Sequence, residues 1–248
     1  MLQKITVQCQ YEGDQKPNHN WGSLLHGVLM DALPGEVAEA LHEDGLKPYS
    51  QYVLATGEGQ LEWTIGLWDS YFAPHLIQAV MPLTGIELKQ KGLVMDVTGI
   101  QRNSLTDSDF LGRFFATAAP CRRYEIEFLT PCTHKQDGTY ALFPTPELIV
   151  RNLSKRYSAF VQDISLDDPE AMKQVARNIR MVRYSLRTGV FYLENTKITG
   201  YMGRITVVVS GPDQLARLAG ALLSFAEYSG IGIKTALGMG GVRIKEIP

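Results

Sequence analysis

The chain has 248 residues, 45% apolar and 20% charged, which excludes a disordered or collagen-like polymer and suits one large domain or two of about 120 residues. Its net charge of −2 excludes a uniformly cationic polyanion binder. The sum hides a split, because residues 1–120 carry 7 Lys/Arg against 14 Asp/Glu and residues 121–248 carry 17 against 12, giving −7 and +5.

Ile5, Val7 and Cys9 alternate with polar residues and predict a first strand. After a turn-rich stretch, Asn20 is placed to cap a helix with Leu24, Leu25, Val28, Leu29 and Ala32 on its apolar face. Pro34-Gly35 ends that helix, and a short second one runs through Val37, Ala38 and Leu41 to Gly45. Two β-rich runs, YSQYVLA and LEWTIGLW, flank TGEGQ as a hairpin. A helix over about Ser70 to Met81 and the β-rich IELKQKGLVMDVTGI complete the first half.

The second half repeats the order. RRYEIEFLTP predicts a strand, and PELIVRNLSKRYSAF a helix with proline at its start. A further helix is expected from Asp168 to about Arg187, with Asp167-Asp168 as its N-cap region. FYLENTKITGYMGRITVVVS reads as a hairpin, PDQLARLAGALLSFAEYSG as the strongest helix, and VRIKEI as a closing strand. The expectation is an α+β protein of two tandem ferredoxin-like βαββαβ units, residues 1–120 and 121–248, each an antiparallel sheet with helices on one face.

Three cysteines (Cys9, Cys121, Cys132) without CxxC spacing read as reduced thiols. The N-terminus lacks the apolar core of a signal peptide, and no apolar run reaches the roughly 18 residues of a membrane span, so a cytoplasmic protein is expected.

The most distinctive segment is SGIGIKTALGMGGVRI. Gly230, Gly232, Gly238 and Gly240 permit positive φ and close backbone approach to an anion. Lys234 precedes the second glycine cluster, unlike the lysine of a P-loop, and the loop leaves a helix for a strand, opposite to a Rossmann turn. With Lys234 inside it and Arg243 beyond, the loop suits a phosphodiester backbone better than a mononucleotide. Lys173, Arg177, Arg180, Arg183 and Arg187, at spacings of three and four, predict a cationic stripe along the helix expected from Asp168 to about Arg187, suited to phosphates. Arg122, Arg123, Arg151, Lys155 and Arg156 add to the basic inventory.

A terminal helix, the G-x-G-x5-G-x-G run and a last strand near the C-terminus resemble the signature of the repeat-associated RAMP superfamily of CRISPR systems. The segment LLHGVLMDALPGEVAEALHEDGLKPYSQYVL is similar to that of the superfamily's repeat-processing endoribonucleases. The resemblance implies metal-independent cleavage of precursor CRISPR RNA within each repeat. In that reaction the ribose 2′-hydroxyl attacks the adjacent phosphate, leaving 2′,3′-cyclic phosphate and 5′-hydroxyl ends. It also implies CRISPR repeat RNA as partner, and leaves open a CRISPR effector complex and a second copy of the chain. A non-catalytic RNA-binding subunit of such a complex is the alternative.

That chemistry needs a base, a proton donor and positive charge. His42, in the last turn of its short helix, suits proton transfer, and by resemblance it matches the catalytic histidine, with Lys47 as supporting lysine. Some relatives carry a tyrosine near where Met30 falls here, and Met30 transfers no proton. His26, on the polar side of the first helix, is the nearest replacement. His19, His75 and His134 are expected at the surface. Adjacent residues on a helix point apart, so the trio His42-Glu43-Asp44 cannot chelate together; no metal and no cofactor is expected.

Overall fold

The computed structural model describes residues 1–43, 45–136, 138–161, 168–193 and 196–247. Asp44 and Asp167 therefore lie outside the described residues.

The first half runs β1 (Leu2–Gln10), α1 (Trp21–Asp31), α2 (Gly35–His42), β2 (Tyr49–Gly57), β3 (Gln60–Leu67), α3 (Phe72–Val80), β4 (Gly85–Leu88), β5 (Leu93–Leu105) and α4 (Asp107–Phe115). Its antiparallel sheet has the order β2-β3-β1-β5-β4. The second half runs β6 (Arg123–Cys132), β7 (His134–Gln136), β8 (Thr139–Ala141), α5 (Pro146–Phe160), α6 (Pro169–Asn178), β9 (Ile179–Leu193), β10 (Thr196–Val209), α7 (Asp213–Ser229) and β11 (Val242–Glu246). Its main sheet has the order β11-β6-β10-β9. Numbered within each unit, both sheets give the 4-1-3-2 order of a ferredoxin-like fold, with β4 added at one edge of the first. Among the described residues no helix is long and apolar enough to cross a membrane.

The strands form where the sequence alternates. In β1 the buried Ile5, Val7 and Cys9 pack into the first core with Trp63 and Ile65 from β3. The caps follow local chemistry: the Thr145 hydroxyl accepts from the Leu148 amide, and the Asp168 carboxylate from the amides of Glu170 and Ala171. Asn20 departs from expectation. Its side chain makes no capping bond to α1 and accepts instead from the Tyr192 amide at 2.9 Å, tying the helix to the second half.

The two cores interleave. Leu2, Trp68, Phe110 and Phe114 from the first half lie in the core of the second, and Ala236 lies in that of the first. The C-terminal end of α7 abuts β3, where a Cβ at Gly66 would fall 1.9 Å from the Tyr228 carbonyl oxygen, so only glycine admits the contact. The Ser50 hydroxyl donates to that same oxygen at 2.6 Å.

The basic stripe is not helical. The helix ends at Asn178, and Arg180, Arg183 and Arg187 belong to β9. Arg180 pairs with Val208, Met181 with Val207, and Arg183 with Thr206, so Val182 is the extra residue of a β-bulge. Two cations three apart thereby share one face of a strand, as they would on a helix. Lys173 and Arg177 remain on α6, which packs on the opposite, core-facing side of the sheet. The five cations therefore divide between two faces.

Candidate functional site

Three side chains from separate elements converge where α1, α2 and the entry to β2 meet. His26 projects from the middle of α1, His42 is the last residue of α2, and Lys47 stands two residues before β2. The two imidazole centroids are 6.0 Å apart with planes at 63°. One turn back on α2, the Ala38 carbonyl accepts from His42 Nδ1 at 2.7 Å, which fixes the imidazole against its own helix. The Lys47 ammonium donates to the Glu43 carbonyl, which holds it beside the same helix end.

Tyr49, fully buried at the start of β2, lies 2.8 Å from His26 Nδ1 through its hydroxyl, and the two rings are nearly parallel at 10°. Sequence reading passed over Tyr49, since an aromatic residue at a strand entry is ordinary core. Its position two residues after Lys47 was the available signal. Burial pushes the His26 pKa down to about 4, and the positive charges of His42 and Lys47 add to the effect. His26 is therefore neutral at physiological pH.

A fourth residue, Gln51, sets where α1 sits. Its buried side-chain amide donates to the Gly22 carbonyl at 2.9 Å and the Ala236 carbonyl at 2.8 Å, while its oxygen accepts from Trp63 Nε1 at 2.5 Å. Gly22 completes the junction, because a Cβ there would lie 2.8 Å from Gly238 Cα. One turn of α1 thus rests backbone-to-backbone on the glycine loop.

The loop itself corrects the expectation of an amide cradle for phosphate. Gly230, Gly232, Gly238 and Gly240 are buried, at φ values of 66°, 91°, 112° and 67°. The Gly230 amide bonds Ala226 O, that of Gly240 bonds Pro131 O, and that of Gly232 bonds Asn152 Oδ1. These donors are spent inside the fold, and Lys234 is the exposed residue of the loop. Arg156 is buried beneath it and donates to the Gly232 carbonyl at 2.8 Å, so it leaves the surface inventory. His134 is likewise buried, not superficial, and burial pushes its pKa down to about 4, helped by Arg151 and Arg156. His19 is half-buried, bonded through Nε2 to the Val190 carbonyl at 2.8 Å.

The open face of the second sheet holds one cluster of exposed cations. Arg180, Arg183 and Arg187 from β9 share it with Arg204, Arg243 and Lys245, and Arg183, Arg187 and Arg204 line a concavity of about 520 Å³ there with Glu125 and Glu127. Glu127 takes Arg204 at 2.7 Å and Arg243 at 3.2 Å, so those two are partly neutralised. Burial lowers the His19 pKa and the nearby Arg187 charge adds to it; from Arg187, β9 leads to a cleft of about 930 Å³. His26 and Ser23 of α1 line one side of that cleft, Tyr192 and Thr196 of the β9–β10 hairpin the other. Among the described residues no three His, Cys, Asp or Glu side chains converge as metal ligands.

A Mycobacterium tuberculosis protein named CRISPR-associated endoribonuclease Cas6 is 32% identical over 230 residues, covering 91% of this chain and 72% of that one. This chain belongs to the Cas6 family of CRISPR-associated endoribonucleases. A Streptococcus thermophilus Cas6 is 27% identical over 223 residues, 90% of either chain. The family model for the CRISPR-associated endoribonuclease Cas6 matches residues 126–242. Among solved structures, a Cas6 product complex superposes with a TM-score of 0.79 at 21% identity, covering 99% of this chain and all of that one. Thermus thermophilus Cas6 gives 0.71 at 20% identity over 99% and 98%. At these identities the structural likeness speaks for the Cas6 fold.

Proposed function

We propose that this chain binds CRISPR repeat RNA and cleaves precursor CRISPR RNA within each repeat by 2′-hydroxyl attack, without a metal. The convergence of His42, His26 and Lys47 where α1, α2 and the entry to β2 meet, beside a cleft that His26 lines, carries the reading. The first half supplies the chemistry, and the second supplies most of the phosphate contacts through Arg180, Arg183, Arg187 and Lys234.

The three groups divide the work. With Nδ1 bonded to a carbonyl, neutral His42 offers its Nε2 lone pair, which takes the 2′-hydroxyl proton. The 2′-oxygen bonds to phosphorus and the bond from phosphorus to the 5′-oxygen breaks. The leaving oxygen receives a proton from the Lys47 ammonium, whose charge also stabilises the phosphorane. Neutral His26 contributes a hydrogen bond to the phosphate. The products are a 2′,3′-cyclic phosphate and a 5′-hydroxyl, and solvent returns the His42 proton to Lys47.

Repeat RNA incubated with the purified protein in EDTA tests this reading. Cleavage with a cyclic-phosphate end is expected, and a 2′-deoxy nucleotide at the cut position should abolish it. A 3′-hydroxyl product, or activity lost in chelator and restored by Mg²⁺, refutes the mechanism. No cleavage at any pH leaves an RNA-binding subunit.

A further inference from the structure

Two hydrogen bonds at the imidazole pair carry more information than their distances. A backbone carbonyl only accepts, so the hydrogen between His42 and Ala38 belongs to His42 Nδ1 in every protonation state. The partner of His26 is a phenol, which can give or take. Tyr49 has no solvent exposure, and among the described residues His26 is the hydrogen-bond partner of its hydroxyl. Burial also raises the phenol pKa, so the hydroxyl keeps its proton.

That proton needs an acceptor. If His26 carried its hydrogen on Nδ1, the phenol oxygen would accept it and the phenolic hydrogen would be left buried and unbonded. If His26 carries it on Nε2, the hydroxyl donates to the Nδ1 lone pair and no buried donor is orphaned. The nearly parallel rings and the 2.8 Å separation suit that bond.

We propose that Tyr49 is a positioning residue whose hydroxyl, by donating to His26 Nδ1, holds His26 in the Nε2–H form, opposite to His42. The pair then presents one lone pair, at His42 Nε2, and one N–H donor, at His26 Nε2. His26 donates a hydrogen bond to a non-bridging phosphate oxygen and transfers no proton. A tautomer set the other way would place two lone pairs toward the phosphate and repel its oxygens. The catalytic consequence rests on the RNA-cleaving reading of this site, whereas the tautomer assignment does not.

Long-range ¹H–¹⁵N correlation spectra of histidine-labelled protein at neutral pH separate the tautomers directly. In the unmodified protein His26 should show an unprotonated Nδ1 and a protonated Nε2, and His42 the reverse. Tyr49→Phe should lose the single His26 form and slow single-turnover cleavage by at least about tenfold, as expected when an imidazole tautomer is left unset, with unchanged RNA affinity. Rescue of neither rate nor tautomer by added imidazole is expected, since the defect is one of orientation. A protonated Nδ1 on His26 in the unmodified protein overturns the proposal whether or not Tyr49→Phe folds, and so does a folded Tyr49→Phe that cleaves at the normal rate. Protein with the expected tautomers that cleaves no RNA would instead refute the functional reading and leave the assignment standing.

Discussion

Replacing Gln51 by leucine tests the junction that fixes α1. The two side chains have similar volumes, so the substitution removes hydrogen bonds without opening a large cavity. Three partners lose their bond: the Gly22 and Ala236 carbonyls and Trp63 Nε1. Gly22 O keeps its helical acceptor role toward His26 N, which leaves Ala236 O and the Trp63 N–H fully buried without a partner. At about 1–3 kcal/mol for each of the two orphaned groups, the expected loss is about 2–6 kcal/mol. Urea unfolding read by tryptophan fluorescence measures it, because Trp63 is itself part of the clamp. A loss below about 0.5 kcal/mol, the range of an inert surface substitution, would show that the clamp contributes nothing. Folded Gln51→Leu should also cleave more slowly, as α1 is no longer held against the glycine loop.

His42→Ala should slow single-turnover cleavage by at least about 10²-fold with RNA affinity nearly unchanged, and His26→Ala should cost less, since it loses a hydrogen bond and not a base. Normal cleavage by His42→Ala would refute its role. Neutralising Arg180, Arg183 and Arg187 together should make the log–log salt dependence of RNA binding shallower by roughly 2–3, at 0.7–0.9 per lost phosphate contact, while Arg204→Gln should change it less because Glu127 already holds that guanidinium. An unchanged slope in the triple variant would remove the β9 track. Stability should fall on acidification from pH 6.5 to about 4, because His26 and His134 titrate near 4 in the fold against an ordinary 6.5. The unfolded chain binds those protons first, which costs up to about 3 kcal/mol for each histidine. A urea midpoint constant across that window would contradict the burial of both.

The legible parts of this molecule are those whose signal is local. His42, Gly45 and Lys47 fall within six residues, and His26 sits one helix earlier, so the pattern carries their proximity. Tyr49 and Gln51 are invisible for the opposite reason. In the strand YSQYVLA each is an ordinary residue, and its role exists through partners on α1, β3 and the distant loop. The glycine loop misled because dense glycine permits both an exposed anion cradle and close packing of backbone on backbone. Gly22, Gly238 and their neighbours take the second course. The basic stripe misled through the bulge at Val182. An extra residue in a strand converts a spacing of two into three, and Arg180 with Arg183 then imitates a helical face. The β-branched and aromatic content of residues 182–192, including Val182, Tyr184, Thr188, Val190 and Phe191, was the competing signal.

The interleaved cores bear on heredity as much as on architecture. Two units with matching strand order suggest an ancient doubling, yet neither can now be excised with its interior closed. Cutting near residue 120 would bare the apolar surface that Leu2, Trp68, Phe110 and Phe114 hide in the opposite unit. Heating should therefore melt both in one cooperative transition. Changes on α7 or in the glycine loop would reach the imidazoles through the fraction of molecules folded, before they reach the chemistry. Lineages of this chain are then free to vary one half only as fast as the other half adjusts.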